Sequence, residues 1–307
     1  MTIAPSSPPD LQDPAATGGA TSSRASVRAA LRSPAMITSA PLLLVITLFF
    51  LVPIVGMAIV AFTVEGPDGT DGFGLDHFTG LSSRSRAIVN SLLVSFVGST
   101  IAAVVGALAA FCIAQLRHRW LDSVVAVFSS VLANDGGAPL AFAFIVTLGN
   151  TGFVFEALGL GAIGFSLYSW QGLVVMYQYF LIPTMIMVTL PTFVGLRREW
   201  SEANTALGGG RLTYWLRVGL PIARPALLSG WVLLFGAAFA TYASAAVLIG
   251  SGAFPLIPLT IASELRSGAS SAGEGAAMAL GLTMVFVAII VLLVFNRLQR
   301  RAARWIR

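Results

Sequence analysis

The chain has 307 residues, of which 56% are hydrophobic and only 10% are charged. A soluble globular protein carries about 25% charged residues, so most of this chain's surface must face lipid. The 18 basic residues are all arginine and flank apolar stretches, which excludes a nucleic-acid-binding protein despite the net charge of +5. The single cysteine, Cys112, excludes a disulfide within the chain, and we expect a buried structural thiol.

The N-terminal region, residues 1–33, is predicted to be a disordered cytoplasmic tail. Residues 1–23 are rich in Pro, Ser, Ala, Thr and Gly, a composition that buries too little apolar surface to become ordered. The apolar segment that follows, 39–62, is longer than the apolar region of a cleavable signal peptide. It is therefore predicted to remain as a membrane span.

Six apolar segments have the length needed to cross about 30 Å of hydrocarbon. The third contains the interruption Asn134-Asp135-Gly136-Gly137-Ala138-Pro139. The segments predict an all-α membrane protein with six transmembrane helices, near 39–62, 88–113, 123–148, 168–190, 226–250 and 276–296.

The distribution of arginine predicts the orientation of these helices. With both termini in the cytoplasm, 15 arginines lie inside and three lie outside, namely Arg84, Arg86 and Arg266. This topology places the polar loop 191–225 in the cytoplasm. The predicted domains are the tail 1–33, a first transmembrane helix with its outer loop at 34–85, a transmembrane domain at 86–296 that includes that loop, and a basic cytoplasmic tail at 297–307.

The loop 191–225 is predicted to contain two short helices joined by glycine. Ser201 is expected to cap the first helix, which puts Glu202 in the first turn, where the helix dipole favours an acidic residue. Gly208-Gly209-Gly210 ends this helix. The second runs from Arg211 to about Val218 and is closed by Pro221. The small side chains of the first helix allow close approach by the groove of another protein.

The spacing in this loop resembles that of the permease subunits of binding-protein-dependent ABC importers. Their signature is Glu-Ala-Ala, three residues, Gly, nine residues, Ile, one residue and Leu-Pro. This chain has Glu202-Ala203-Asn204, Gly208, Val218 and Leu220-Pro221 at the same offsets. Asn204 departs from the second Ala and Val218 from Ile; the first change affects the docking surface and the second is conservative. The resemblance covers roughly residues 86–296.

The resemblance implies a type I ABC importer permease fold in which this loop is the coupling helix that seats in a cleft on a cytoplasmic ABC ATPase dimer. The chain contains no GxxxxGK[ST] phosphate loop, so it is expected to be a non-catalytic subunit without a cofactor or metal of its own, and ATP and Mg belong to the partner ATPase. The implied coupling residues are Glu202, Ala203, Asn204, Ala206, Gly208, Leu220 and Pro221.

A candidate translocation path is indicated by polar residues within the spans. Asp135 lies about 18 Å along the third span by helix rise, and ionisable residues at such depth face a cavity or a path. One interpretation is that Asn134 and Asp135 line the path and favour a cationic solute; the other is that Asp135 caps the second half-helix. Both stay open here. The candidate path residues are Asn134, Asp135, Tyr177, Gln178 and Tyr242, while His77 and His118 are expected to be solvated.

The main functional hypothesis is therefore an importer permease in the bacterial cytoplasmic (inner) membrane. Its expected partners are the ATPase, a second permease subunit or a copy of itself, an extracytoplasmic solute-binding protein and the lipid bilayer, with no nucleic acid. Two short stretches resemble permeases for polyamines, ferric iron or aminophosphonates. The alternatives are a sugar-type ABC permease, an ion-gradient-driven secondary transporter, for which one expects inverted repeats, and a membrane-embedded enzyme, which needs a catalytic constellation.

Overall fold

The computed structural model describes residues 34–65, 71–116, 119–250, 254–267 and 271–303. A short antiparallel pair joins β1 (Thr63–Glu65) to β2 (Asp71–Phe73), with Val64 opposite Gly72. The helices are α1 (Pro34–Phe62), α2 (Asp76–Thr79), α3 (Ser85–Leu116), α4 (Arg119–Asn134), α5 (Ala138–Leu148), α6 (Phe153–Ala157), α7 (Trp170–Val194), α8 (Arg198–Ala206), α9 (Arg211–Tyr214), α10 (Leu220–Ala240), α11 (Ala243–Leu248), α12 (Ile257–Ser267) and α13 (Ser271–Ala303).

Within these ranges, six helical stretches are long and apolar enough to cross a membrane, as the sequence predicts. They are Pro41–Phe62, Ser85–Leu116, Ala138–Ala157, Trp170–Val194, Arg211–Ala240 and Gly273–Arg297. The predicted tail 1–33, the last residues of the basic tail and His118 lie outside the described residues. The orientation of the termini stays a prediction.

Two of the predicted spans differ from the structure. The third, 123–148, is divided between α4 and α5, and the apolar stretch of spanning length begins only at Ala138. The fifth, 226–250, starts earlier and is interrupted at Thr241, after which α11 begins at Ala243. The first break falls at the interruption that the sequence showed at 134–139, whereas the second, at Thr241, was not predicted.

The described residues fall into two units, one before and one after the boundary between Val55 and Gly56. In the first unit the described residues belong to α1. The second unit has its core where α3, α7 and α10 meet, and Met185 of α7 lies at the centre of this contact, fully buried. A Cβ atom at Gly106 of α3 would lie 2.9 Å from the carbonyl oxygen of Ile182, and one at Gly230 of α10 would lie 2.6 Å from the sulfur of Met185. Small residues therefore let three helices approach closely, as is common between membrane helices.

A polar network joins the start of α3 to α12. Nε and Nη2 of Arg84 donate to Oε1 of Glu264 at 2.9 and 2.6 Å, and both side chains are about three-quarters buried. The backbone N–H of Ile257 donates to the Ser91 hydroxyl at 2.8 Å. These bonds fix α12 against α3 on the side that the topology predicts to be extracytoplasmic.

Two side chains differ from their predicted environment. Cys112 is exposed on α3 and is not the buried thiol that was expected, because it lies on the face of α3 that turns away from the core. His77 is partly buried; its Nε2 lies 3.1 Å from the Thr63 carbonyl oxygen, and its ring packs where Gly275 has no side chain. The prediction of a solvated His77 is therefore wrong, since the contact depends on a glycine nearly two hundred residues away.

Candidate functional site

The segment between α7 and α10 contains the predicted pair of short helices, but the first begins earlier than expected. Helix α8 starts at Arg198 after Arg197 and has no side-chain cap, so the prediction that Ser201 caps it is wrong. Ser201 lies inside the helix, where its carbonyl accepts a bond from the Thr205 hydroxyl at 2.9 Å. Glu199 therefore occupies the first turn, and Glu202 lies one turn further along.

The glycine turn after α8 has the predicted form. Gly208 has a φ of +78°, a left-handed conformation that only glycine adopts without strain. A Cβ at Gly208 would meet no atom within 4 Å, so the requirement for glycine comes from the backbone conformation and not from crowding. The Gly208 N–H donates to the Thr205 carbonyl at 2.9 Å, which ends the helix.

Asn204, the departure from the signature, has a structural role in this turn. Its Nδ2 donates to the carbonyl oxygens of Gly209 at 2.9 Å and Gly210 at 3.2 Å. In return, the Gly209 N–H donates to the Asn204 carbonyl at 2.8 Å. A Cβ at residue 209 would collide with the Asn204 amide. The side chain of Asn204 thus folds back over the turn, and the glycine beside it makes room.

The outward surface of α8 is formed by residues one turn apart. Glu202, Ala203 and Ala206 are exposed, and Leu207 at the tip is 88% exposed. Glu202 and Ala206 are four positions apart, as are Ala203 and Leu207, and residues at this spacing are neighbours on a helix surface. Sequence reasoning named the first three of these residues and missed Leu207, although a leucine directly before the glycine run was a visible signal. We call these four residues the α8 face.

The charge on the α8 face is paired within the helix. Nε of Arg198 lies 2.9 Å from Oε1 of Glu202, one turn apart, and both side chains are largely exposed. An exposed pair of this kind contributes about 0–1 kcal/mol. Glu202 is therefore free to exchange this partner for another cation at little cost.

The second short helix does not stop at Pro221. The chain stays helical from Arg211 to Ala240, with one wider turn of the π type at Trp215–Gly219, in which the Leu220 N–H donates to the Trp215 carbonyl five residues earlier. Pro221 lies at the start of α10. A proline inside a helix lacks an N–H and crowds the carbonyl four residues before it, and a wider turn relieves both problems. Insertions of this type occur frequently at functional sites.

Gly219 makes this wide turn possible. A Cβ at residue 219 would lie 2.5 Å from the Trp215 ring. Trp215 in turn contacts the Phe111 ring edge-on, with ring centroids 4.7 Å apart. Leu220 and Pro221, which match the signature, therefore lie at the junction where the loop joins a spanning helix, and Leu220 is 37% exposed there.

The predicted break near Asp135 is present, and it separates α4 from α5. Asn134 ends α4, and its Nδ2 donates to the Ser130 carbonyl at 2.8 Å. Helix α5 begins after Gly137 without a side-chain cap, so the interpretation in which Asp135 caps it is wrong. Asp135 is exposed and its side chain is left available for another partner.

That partner is Tyr179, which is not in the predicted set of path residues. The Tyr179 hydroxyl lies 3.4 Å from Oδ2 of Asp135, a long hydrogen bond. The Phe144 ring meets the Tyr179 ring edge-on at 6.1 Å between centroids. Tyr179 is the tenth residue of α7, or about 14 Å from its start by helix rise, so Asp135 lies level with the interior of this span.

The remaining candidate path residues do not join this cluster. Tyr177 is 1% exposed and belongs to the core. Nε2 of Gln178 donates to the Gly98 carbonyl of α3 at 3.2 Å, and its Oε1 is buried without a hydrogen-bond partner among the described residues. Tyr242, at the break after α10, accepts a bond from Nη2 of Arg266 at 2.8 Å. Their roles in a path stay predictions.

Comparisons with known proteins agree with this architecture. No family model matches the chain. It is 25% identical over 207 residues to the spermidine/putrescine transport system permease protein PotC of Haemophilus influenzae, covering 67% of this chain and 74% of that protein. It is 26% identical over 217 residues to the sulfate transport system permease protein CysT of Salmonella typhimurium, covering 70% and 76%.

A solved structure extends the likeness to the fold. The bacterial alginate ABC transporter in complex with an alginate pentasaccharide-bound periplasmic protein contains a chain that matches with a TM-score of 0.66 and 20% identity. The match covers 89% of this chain and 96% of that one. Together with the six apolar helices, these relatives confirm the predicted localisation in the bacterial inner membrane. The chain is therefore a multi-pass membrane protein with the fold of an ABC importer permease, and by sequence it is a homologue of ABC transport system permeases.

Proposed function

We propose that this chain is the permease subunit of an ATP-driven ABC importer. A second permease subunit or a copy of this chain completes the solute path, a solute-binding protein delivers the cargo, and a cytoplasmic ABC ATPase dimer supplies the work. The observation that carries the proposal is the α8 face, which presents small side chains, one carboxylate and the exposed tip Leu207 on a helix closed by a rigid turn. Such a surface fits a groove on another protein.

The connection from α8 to the membrane supports the mechanical part of this proposal. From Arg211 the chain is helical without interruption to Ala240, so a displacement of the loop is transmitted along α10. Helix α10 packs on α3 and α7 through Gly230 and Met185. Well-packed interfaces move between discrete arrangements and do not deform continuously, so pulling on α8 is expected to shift α10 as a unit against its neighbours.

The charge of the transported solute is the finer part of the proposal. The two relatives named above are permeases for the cations spermidine and putrescine and for the anion sulfate. Similarity to them therefore does not indicate the charge of the solute that this chain transports. The Asp135 carboxylate, with Tyr179 and Phe144 beside it at the level of the α7 interior, favours a small cationic solute such as a polyamine. Carboxylates at membrane depth typically mark a route for ions or polar substrates.

Docking is tested by reversing the charge at Glu202. In Glu202→Arg the new side chain faces the ATPase groove beside Arg198, and we expect recovery of the co-expressed ATPase with the purified chain to fall at least tenfold. The matched control is Glu156→Arg, which makes the same charge change at an exposed carboxylate on α6, outside the loop. Equal recovery with both variants would contradict docking through this face.

ATP dependence separates the proposed importer from an ion-gradient-driven transporter. In proteoliposomes that contain the chain, its partner permease and the ATPase, uptake is expected to require ATP on the ATPase side and to persist when ion gradients are collapsed. Uptake that follows an ion gradient without ATP would contradict the proposal.

A further inference from the structure

A large cleft lies between α8 and the ends of three spanning helices. It has a volume of about 860 Å³, within the range of small-molecule sites. Its walls come from the last turns of α3, the end of α7, the inner side of α8 and the start of the helical stretch at 211. None of the four residues of the α8 face lines the cleft.

One side of this cleft is positively charged. Arg197, Arg198 and Arg211 line it, against the single carboxylate of Glu199. Arg198 is paired with Glu202, whereas Arg197 and Arg211 form no ion pair within the described part of the chain. The first turn of α8 also lies here, and it has no side-chain cap for its backbone N–H groups. Guanidinium groups and free N–H groups together are suited to bind a phosphate oxygen.

The other side of the cleft is aromatic. The Phe111 ring meets the Trp215 ring edge-on at 4.7 Å and the Phe193 ring at 6.0 Å between centroids. Val194 and Leu196 continue this apolar wall. A free inorganic anion would occupy the arginine side and leave these rings against water. A ligand that covers both sides needs an apolar part next to its charged group.

The position of the cleft indicates what that ligand is. Phe111 and Phe193 lie in the last turns of α3 and α7, and Trp215 lies just before α10. The ends of three spans therefore surround the cleft, which places it at the level of the membrane–water interface. Anionic phospholipids supply a phosphate, a net negative charge and acyl chains at this depth.

We propose that this cleft binds one anionic phospholipid, with its phosphate between Arg197 and Arg211 and its acyl chains against Phe111 and Trp215. The lipid fills the space behind α8 and holds that helix at a set distance from α3 and α7. This inference concerns lipid binding by the chain itself, and it holds whether or not an ATPase docks on the α8 face.

The experiment uses Trp215 as a reporter. In a variant that keeps Trp215 and replaces the other five tryptophans with Phe, the protein is placed in bilayers containing phosphatidylglycerol or phosphatidylcholine with brominated acyl chains, at equal mole fraction. Bromine quenches a nearby indole, and we expect quenching by the anionic lipid to be at least about twofold stronger. The replaced residues are Trp120, Trp170, Trp200, Trp231 and Trp305.

Charge variants assign the effect to the cleft. In the Trp215 reporter, Arg197→Ala combined with Arg211→Ala is expected to remove the preference for the anionic lipid, while replacement of the same two arginines by Lys retains most of it. The matched control is Arg217→Ala combined with Arg224→Ala, which removes two charges from the same segment outside the cleft and is expected to leave the preference unchanged.

Three outcomes would overturn the proposal. The first is equal quenching of the reporter by both brominated lipids. The second is an equal loss of preference in the control pair, which would show a general surface charge effect. The third is that millimolar inorganic phosphate relieves the lipid-specific quenching, which would show that the arginines bind a free anion. Quenching by brominated phosphatidylcholine shows in every variant that the chain is inserted, so a misfolded variant is recognised. In that case the comparison of the two brominated lipids in the Trp215 reporter with its arginines intact still tests the proposal.

Discussion

Two interruptions of helical structure, the Gly208–Gly210 turn after α8 and the break between Asn134 and Ala138, differ in what holds them. The turn is held by its own neighbours in sequence, since Asn204 bonds across it and Gly208 takes the left-handed conformation. The break has no such local bonds across it, because α5 begins uncapped and Asp135 reaches a residue on α7. The first supports the α8 face, which we propose as a docking surface, and the second leaves a charge exposed at the level of the α7 interior.

Of the substitutions that test this comparison, a change at Gly208 is expected to have the largest effect. Gly208→Val places a β-branched residue at a φ of +78°, which costs about 1–3 kcal/mol. The turn would open or rearrange, and we expect a roughly 5- to 150-fold rise in amide hydrogen exchange across 204–210, with loss of ATPase recovery. Gly210→Ala is the control, since its φ is −74° and a Cβ there meets nothing within 4 Å. Matching exchange rates in the two variants would show that the turn is not held by this glycine.

Removing the charge of Asp135 at the break is expected to have the next largest effect. This effect is on uptake and not on the fold. Asp135→Asn keeps the size of the side chain and removes a charge whose attraction to a cation at about 4 Å is worth about 1–4 kcal/mol. We expect roughly tenfold slower uptake of putrescine or spermidine by the reconstituted importer, with an unchanged thermal transition of the purified chain.

Two controls accompany this test. Tyr179→Phe removes only the 3.4 Å hydrogen bond and keeps the charge, and it is expected to transport cations almost normally. Glu156→Gln removes an exposed carboxylate on α6. Unchanged polyamine uptake by Asp135→Asn, or uptake of sulfate in place of polyamines, would contradict the proposed cationic solute.

The smallest effect is expected at Asn204. Asn204→Ala restores the second Ala of the family signature and removes two hydrogen bonds to Gly209 and Gly210. Because these bonds are partly solvent-exposed, their loss costs about 1 kcal/mol in total, so amide exchange in the turn should rise roughly fivefold. ATPase recovery is expected to persist, since the α8 face is unchanged. Thr205→Ala, which removes a bond within α8, serves as the control; a larger effect there than at Asn204 would contradict the assigned role.

Much of the structure of the segment between α7 and α10 was predictable because its determinants are local. Glycine after a helix, small residues on one helical face and the spacing to Leu220-Pro221 are all read within twenty residues. The errors were of two kinds. Ser201 is a good capping residue, yet α8 begins three residues earlier. Pro221 is a helix breaker, yet a wide turn made possible by Gly219 beneath the Trp215 ring carries the helix past it.

The surroundings of the candidate path residues were harder to predict, because their contacts join distant parts of the chain. Tyr177, Gln178 and Tyr179 are consecutive, yet one is buried in the core, one bonds to α3 and one meets Asp135. Successive helical residues point about 100° apart, so their partners depend on which helices surround α7. Sequence spacing did not distinguish Tyr179 from its neighbours.

The sequence by itself determined the membrane class, the six apolar helices and the glycine turn that closes α8, because these depend on composition and on residues a few positions apart. Only the tertiary structure decided that the fifth span breaks at Thr241, which tyrosine accompanies Asp135, and that α8 lies over a cleft with arginines on one side and aromatic rings on the other. Those features depend on how α3, α7 and α10 pack through glycines whose neighbours are far away in sequence.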